Sequence, residues 1–176
     1  MQRLQLIKPS LEYKNQIVDM LEEWTLFNNT HETNHSPGAI FAHDYRDFDS
    51  YLAYFEKAET NPIEGHVPSS TYFALDKERN VMVGAISIRH YLNETLKNGG
   101  GHIGDGIRPS ERRKGYATEM IALALDICRK MKLDKVMISC SRDNIGSKKS
   151  IINNGGVYER TVIDDGEETE IYWIYL

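Results

Sequence analysis

His102-Ile103-Gly104-Asp105-Gly106-Ile107 leads through Arg108-Pro109-Ser110 into Glu111-Arg112-Arg113-Lys114-Gly115-Tyr116-Ala117, and this stretch decides the reading of the chain. It is a short strand, a proline stop, a polar loop with three consecutive cations, and the opening of a helix. That helix is the clearest one in the sequence, because Ala117, Met120, Ile121, Ala124, Leu125 and Cys128 recur at the spacing of one helical face. A helix N-terminus presents unpaired backbone N–H groups and the positive end of its dipole, so the junction is an anion site before any side chain contributes. Arg112, Arg113 and Lys114 add Coulomb attraction, and Gly115 lets the backbone turn tightly and lie close to a phosphate. Spacing alone also fits a solvated basic loop with a glycine turn. Gly104 and Gly106 inside the strand suggest a bulge or the close approach of a ligand to the backbone.

Upstream, Leu4–Ile7 reads as a first strand, followed by a helix with Tyr13, Ile17, Met20, Leu21 and Trp24 on one face. Asn28 to Asp44 is polar, holds Pro37-Gly38 and three histidines, and reads as a loop. A second helix carries Phe48, Tyr51, Leu52 and Phe55, and a connector with Pro62, Gly65 and Pro68 follows. Thr71–Leu75 and Val81–His90 form a predicted hairpin. Downstream, Lys135–Cys140 is an apolar strand, Ile145–Asn154 a short helix stopped by Gly155-Gly156, and Asp164-Asp165-Gly166 joins two final strands. The order β-α-α-β-β-β-α-β-α-β-β predicts one α/β domain over residues 1–176: a mixed, mostly antiparallel sheet of six to seven strands flanked by about four helices on both faces.

Composition narrows the partners. The net charge of −5 argues against broad nucleic-acid binding, which rests on neutralising phosphates. No long apolar run predicts a membrane span, and the first eight residues are too short and polar for a secretory signal, so the cytoplasm is the expected location. Cys128 and Cys140 make no zinc pattern, the histidines show no paired motif, and no metal is expected. His31, His35 and His43 share the polar loop, where a substrate loop or a plain solvated loop is the simpler reading.

At Arg112-Arg113-Lys114-Gly115-Tyr116-Ala117 the sequence resembles the GCN5-related N-acetyltransferase (GNAT) superfamily, whose pattern Gln/Arg-x-x-Gly-x-Gly/Ala it fits. Asn144-Ile145-Gly146-Ser147 and Ile151-Ile152-Asn153-Asn154-Gly155-Gly156 look like that family's last helix and its terminal glycine. The resemblance implies acetyl-CoA as acyl donor, with its pyrophosphate on the amides of Arg113 to Ala117, assisted by Arg112, Arg113 or Lys114. It implies that the strand around Ile107 pairs with the pantetheine arm, that this strand and Lys135–Cys140 splay apart to make the slot, and that Asn144 and Ser147 stand on the opposite wall. The implied reaction is direct acyl transfer to a small-molecule or peptide amine. It needs a base for the ammonium, an oxyanion donor and a proton for the thiolate.

Asp105 is the first candidate for the base and His102 the second. Equally, a strand aspartate can cap a bulge or bind substrate, and a histidine can be structural. The family often places a tyrosine acid four residues before the glycine that ends the last helix; here that position is Ile151, which donates no proton. Tyr116 and Tyr158 lie near in sequence without matching the position. The missing tyrosine keeps a second reading alive, a non-catalytic acyl-CoA-binding regulatory module. Cys140, at the end of a strand beside the slot, has the chemistry of an acyl-accepting nucleophile but also of a small buried hydrophobe; Cys128 sits on the core face of its helix. Acidic residues Glu22, Glu23, Glu32, Asp44, Asp164, Asp165, Glu167 and Glu168 in the expected acceptor regions suggest a cationic amine. A homodimer is the commonest oligomer and is admitted as one.

Overall fold

The fold is taken from a computed structural model that describes residues 2–31 and 35–176. Seven strands form one sheet: β1 (Leu4–Ile7), β2 (Ser69–Asp76), β3 (Val81–Arg89), β4 (Ile103–Ile107), β5 (Lys135–Ser141), β6 (Val157–Asp164) and β7 (Glu167–Tyr175), in the spatial order β1-β2-β3-β4-β5-β7-β6. Four α-helices accompany them: α1 (Lys14–Thr30), α2 (Phe48–Thr60), α3 (Tyr116–Lys130) and α4 (Ile145–Asn153). Every neighbouring pair is antiparallel except β4 and β5, which run parallel and meet at a single register pair, Ile103 with Ile138. Beyond that pair the two strands diverge, and the sheet opens in its middle.

The helices cover both faces because the strands are apolar on both. On one face Ile17, Met20, Leu21 and Trp24 of α1 and Phe48, Tyr51 and Phe55 of α2 pack on Phe73, Met82 and Ala85. On the other, Met120, Ile121, Ala124 and Cys128 of α3 pack on Val83, Ile86, Ile88 and Ile138. Burying one such large apolar side chain is worth about 1.5–3 kcal/mol, which is why the helical stripes fix the orientation of α3.

The predicted loop from Asn28 to Asp44 is shorter than its composition suggests. Helix α1 continues to Thr30, and Gly38–Phe41 forms a 3-10 turn whose Ile40 is fully buried, its carbonyl accepting a hydrogen bond from Tyr51 Oη at 2.9 Å. Tertiary contact overrides the poor helix propensity of Asn28-Asn29-Thr30. The last strand also starts earlier than expected, at Glu167, across a tight turn with Asp165 at φ 48° and Gly166 at φ 84°.

Candidate active site

The opening between β4 and β5 is a cleft of about 720 Å³ that runs from the α3 N-terminus, past β4, to the start of α4. At its α3 end, Gly115 caps the helix at φ +83°, a left-handed conformation in which a side chain is strained, and Arg113 adopts φ 61°. The loop is held by a network of ion pairs and hydrogen bonds that reaches the cleft wall at Glu111 and Tyr116. Glu111, nearly fully buried, accepts hydrogen bonds from Arg79 Nη1 and Nη2 at 2.8 and 2.7 Å and from Lys114 Nζ at 2.9 Å. Arg79 foremost, then Lys114, hold its carboxyl down at about 2 despite burial. Tyr116 Oη donates to buried Asp76 at 2.6 Å, and Asp76 also accepts from the backbone N–H of Glu78 and Arg79. The turn between β2 and β3 thus clamps the loop.

This clamp sorts the three cations. Lys114 is turned to Glu111 and does not line the cleft. Arg112 lies over the Phe27 ring at 4.8 Å and donates to the Ile107 carbonyl at 3.2 Å. Arg113, which lines the cleft, has no hydrogen bond or ion pair among the described residues and is left to meet an anion.

Along the floor, β4 keeps regular register with β3 from Gly84–Ile107 to Ile88–Ile103, so its glycines mark close approach and not a bulge. A Cβ at Gly106 would collide with the Ser36 carbonyl and lie 2.8 Å from the Trp24 ring. The Arg108 amide donates to Val83 on β3 at 2.9 Å, so by two-residue alternation the amides of Ile107 and Asp105 face away from β3, into the opening. Asp105 faces the α3 side, next to Ile86 in register, and lines the cleft. Its carboxyl accepts no hydrogen bond from a described residue, and burial raises its pKa to about 6. Cys140, across the gap, has its thiol pushed up to about 11 by burial and then by Glu170, which makes it a poor thiolate.

A family model described as an acetyltransferase (GNAT) domain matches residues 3–157. The chain belongs to the GNAT acetyltransferase family. Solved structures of GNAT architecture superpose over nearly the whole chain at low identity. The microcin C7 self-immunity acetyltransferase MccE, in complex with acetyl-CoA and AMP, gives a TM-score of 0.71 at 16% identity, covering 100% of this chain and 94% of its own. RimL, a ribosomal L7/L12 alpha-N-protein acetyltransferase in complex with coenzyme A, gives 0.69 at 14% identity, covering 100% and 96%. The spermidine/spermine N-acetyltransferase SpeG from Vibrio cholerae gives 0.62 at 16% identity, covering 98% and 94%. No curated protein sequence matches. At these identities the likeness shows the GNAT fold.

Against that family frame, Asp105, Ile107, Arg112, Arg113, Gly115, Tyr116, Ala117, Asn144 and Ser147 all line the cleft. His102 does not: its Nδ1 accepts from the Met137 amide at 3.0 Å, tying β4 to β5, and burial followed by Arg89 lowers its pKa to about 4. Asn144 caps α4, its side chain accepting from the Ser147 amide at 3.1 Å. Ile151 is fully buried, the Tyr116 hydroxyl is engaged by Asp76, and Tyr158 stands exposed on edge strand β6 beside Thr161. Glu23 pairs with Arg108 at 2.5 Å and Glu168 with Arg142 at 2.7 Å; none of the acidic residues named for the acceptor wall lines the cleft, and Glu32 lies outside the described residues. His31 stacks on Phe27, His35 meets Phe41 edge-on and His43 lies by Tyr54, and among the described residues no group of His, Cys, Asp or Glu could hold a metal ion. No described helix is long and apolar enough to cross a membrane.

The site also contains residues with no signal in the sequence. Arg79 and Asp76 act on the loop from more than thirty residues away. Trp24, on the helical stripe that reads as core, is buried and also lines the cleft; its Nε1 has no acceptor among the described residues, and an unpaired buried donor costs about 1–3 kcal/mol.

Proposed function

We propose that this chain transfers the acetyl group of acetyl-CoA to an amine by direct attack in a ternary complex. The observation that carries this is the open β4 edge, with a glycine-capped helix N-terminus at one end and Asp105, a carboxylate without hydrogen-bond partners among the described residues, midway along it. The residues fit the donor: the amides of Arg113 to Ala117 and the free Arg113 side chain suit a pyrophosphate, and the outward amides of Asp105 and Ile107 suit an extended pantetheine arm paired like an added strand. Asn144 and Ser147 form the facing wall. When bound, acetyl-CoA supplies the activated thioester.

Asp105 takes the proton from the incoming ammonium, directly or through one water. With a pKa of about 6 it is ionised at neutral pH yet more basic than an ordinary aspartate, as a general base requires. The outward amide of Ile107 stabilises the developing charge on the carbonyl oxygen. His102 serves as the tie between β4 and β5, since a ring neutral down to about pH 4 and already hydrogen-bonded to the Met137 amide is a weak base. With Ile151 in the core, the thiolate takes its proton from solvent.

The test is release of free thiol from acetyl-CoA across a broad panel of amines. Turnover that rises with pH through about 6 is the expected result. Saturable coenzyme A binding without turnover of any amine would instead favour the non-catalytic binding module that the missing tyrosine allows.

A further inference from the structure

We propose that the acceptor carries a carboxylate near its amine, and that this carboxylate pairs with Arg89 across the bare face of Gly104. The inference rests on the acetyl-transfer reading above and names the chemical class of its acceptor.

Arg89 ends β3 on the α1 face of the sheet. Its Nη1 donates to the carbonyls of Gly100 at 2.8 Å and Gly101 at 3.2 Å, both neutral. Among the described residues it makes no ion pair, and burial lowers its pKa with no acid opposing the shift. Arg108, also largely shielded, behaves differently: it pairs with Asp19 at 2.8 Å and Glu23 at 2.5 Å. A guanidinium is charged at any physiological pH and presents five donors in a planar fork shaped for a carboxylate, so Arg89 is left with donors and a charge to match.

Arg89 does not itself line the cleft, but the residues beside its guanidinium do. A Cβ at Gly104 would meet both Arg89 Nη atoms at 3.7 Å and Ser36 Oγ at 3.5 Å in ordinary contact, so the glycine leaves room for a group of about methyl size beside the guanidinium. Gly104 and Ser36 both line the cleft, and Gly104 is the neighbour of Asp105. A second donor, the buried Trp24 Nε1, which has no acceptor among the described residues, belongs to the same face, with its ring against Gly106. Two unsatisfied donors on one side of β4 and an unsatisfied carboxylate on the other match a ligand with oxygens at one end and an ammonium at the other. A purely cationic polyamine lacks the oxygens.

The experiment titrates the coenzyme A-saturated protein by calorimetry with linear aminocarboxylates, from glycine to 6-aminohexanoate, each matched to its carboxamide. At least one carboxylate is expected to bind about tenfold or more tightly than its amide. Arg89→Met should remove that advantage while leaving coenzyme A affinity within about twofold, and Arg89→Lys, which keeps the charge and not the fork, should retain part of it. If Arg89→Met fails to fold in a thermal melt, the Lys variant decides. Equal binding of acids and amides, no binding by any member, or an advantage that persists in the variants overturns the inference. If the wild-type protein does not bind coenzyme A, the acetyl-transfer reading falls as well; coenzyme A binding without discrimination sinks the Arg89 assignment alone.

Discussion

The α3 end of the cleft and the β4 floor treat their polar groups in opposite ways. At the α3 end, Glu111, Arg79, Lys114, Asp76 and Tyr116 satisfy one another, and the loop is thereby fixed with Arg113 on the cleft wall. Along and beside the β4 floor, among the described residues, the Asp105 carboxylate accepts no hydrogen bond, Arg89 has no ion pair and the buried Trp24 Nε1 has no acceptor. A satisfied network gives a rigid cradle for a ligand that is always the same. Unsatisfied groups store free energy that a reacting ligand releases, the usual trade of stability for activity.

The sharpest way to break this contrast is at Asp105. Asp105→Asn should lower kcat by about 10²–10⁴-fold, abolish the rise of kcat/KM through pH 6, and leave coenzyme A affinity unchanged. The same substitution should stabilise the fold. Because the folded pKa is raised from 3.8 to about 6, the native state favours the protonated carboxyl, and stability is lost as pH rises through that window. Above pH 7 the Asn variant is therefore expected to gain on the order of 1–3 kcal/mol in denaturant melts.

At the other end, Gly115→Val places a β-branched residue at φ +83° and crowds the backbone against the phosphate. Coenzyme A affinity should fall by about a hundredfold in a binding titration, with a strain cost of about 1–3 kcal/mol in stability. Glu111→Gln removes the charge that gathers Arg79 and Lys114. Both partners are nearly half exposed, so the expected loss is about 1–2 kcal/mol, with a few-fold loss of coenzyme A affinity as the loop loosens. Its sign with pH is opposite to that of Asp105: Glu111 stabilises the fold above its ordinary value of 4.5, and that contribution drains away as pH falls toward about 2, an acid limb the variant should lack. The smallest effect belongs to Arg113→Ala, about a three- to tenfold rise in the KM for acetyl-CoA that shrinks in high salt, since an exposed cation acts through screened charge.

The two ends were also unequally legible. The cradle could be read because its information is local: a glycine, three cations and a helical stripe within about thirty residues specify a helix N-terminus. The same locality hid which cation is free, because Lys114 is claimed by Glu111 only once Arg79 arrives from the β2–β3 turn. The mixed sheet followed from element order, and the opening between β4 and β5 from the family resemblance; the spatial order of the strands followed from neither. On the floor, Asp105 is singled out by position and His102 by chemistry; Asp105 lines the cleft and His102 does not. Its hydrogen bond to the Met137 amide depends on β5, thirty-five residues away, and leaves no trace in the sequence near His102. Arg89 showed nothing at all, since a charged residue at a strand end is ordinary until its lack of a counter-ion among the described residues is seen. The acidic residues counted toward a cationic acceptor lie outside the cleft, and counting charges by segment could not separate Glu23, bound to Arg108, from a carboxylate facing a ligand.

The most direct test of the cleft as the acyl-CoA slot is a coenzyme A titration followed by backbone amide NMR. The largest saturable shifts are expected at Gly115, Tyr116 and Ala117, together with Asp105 and Ile107, whose amides face the opening. Saturable binding that leaves these five amides unmoved would contradict the placement of the donor.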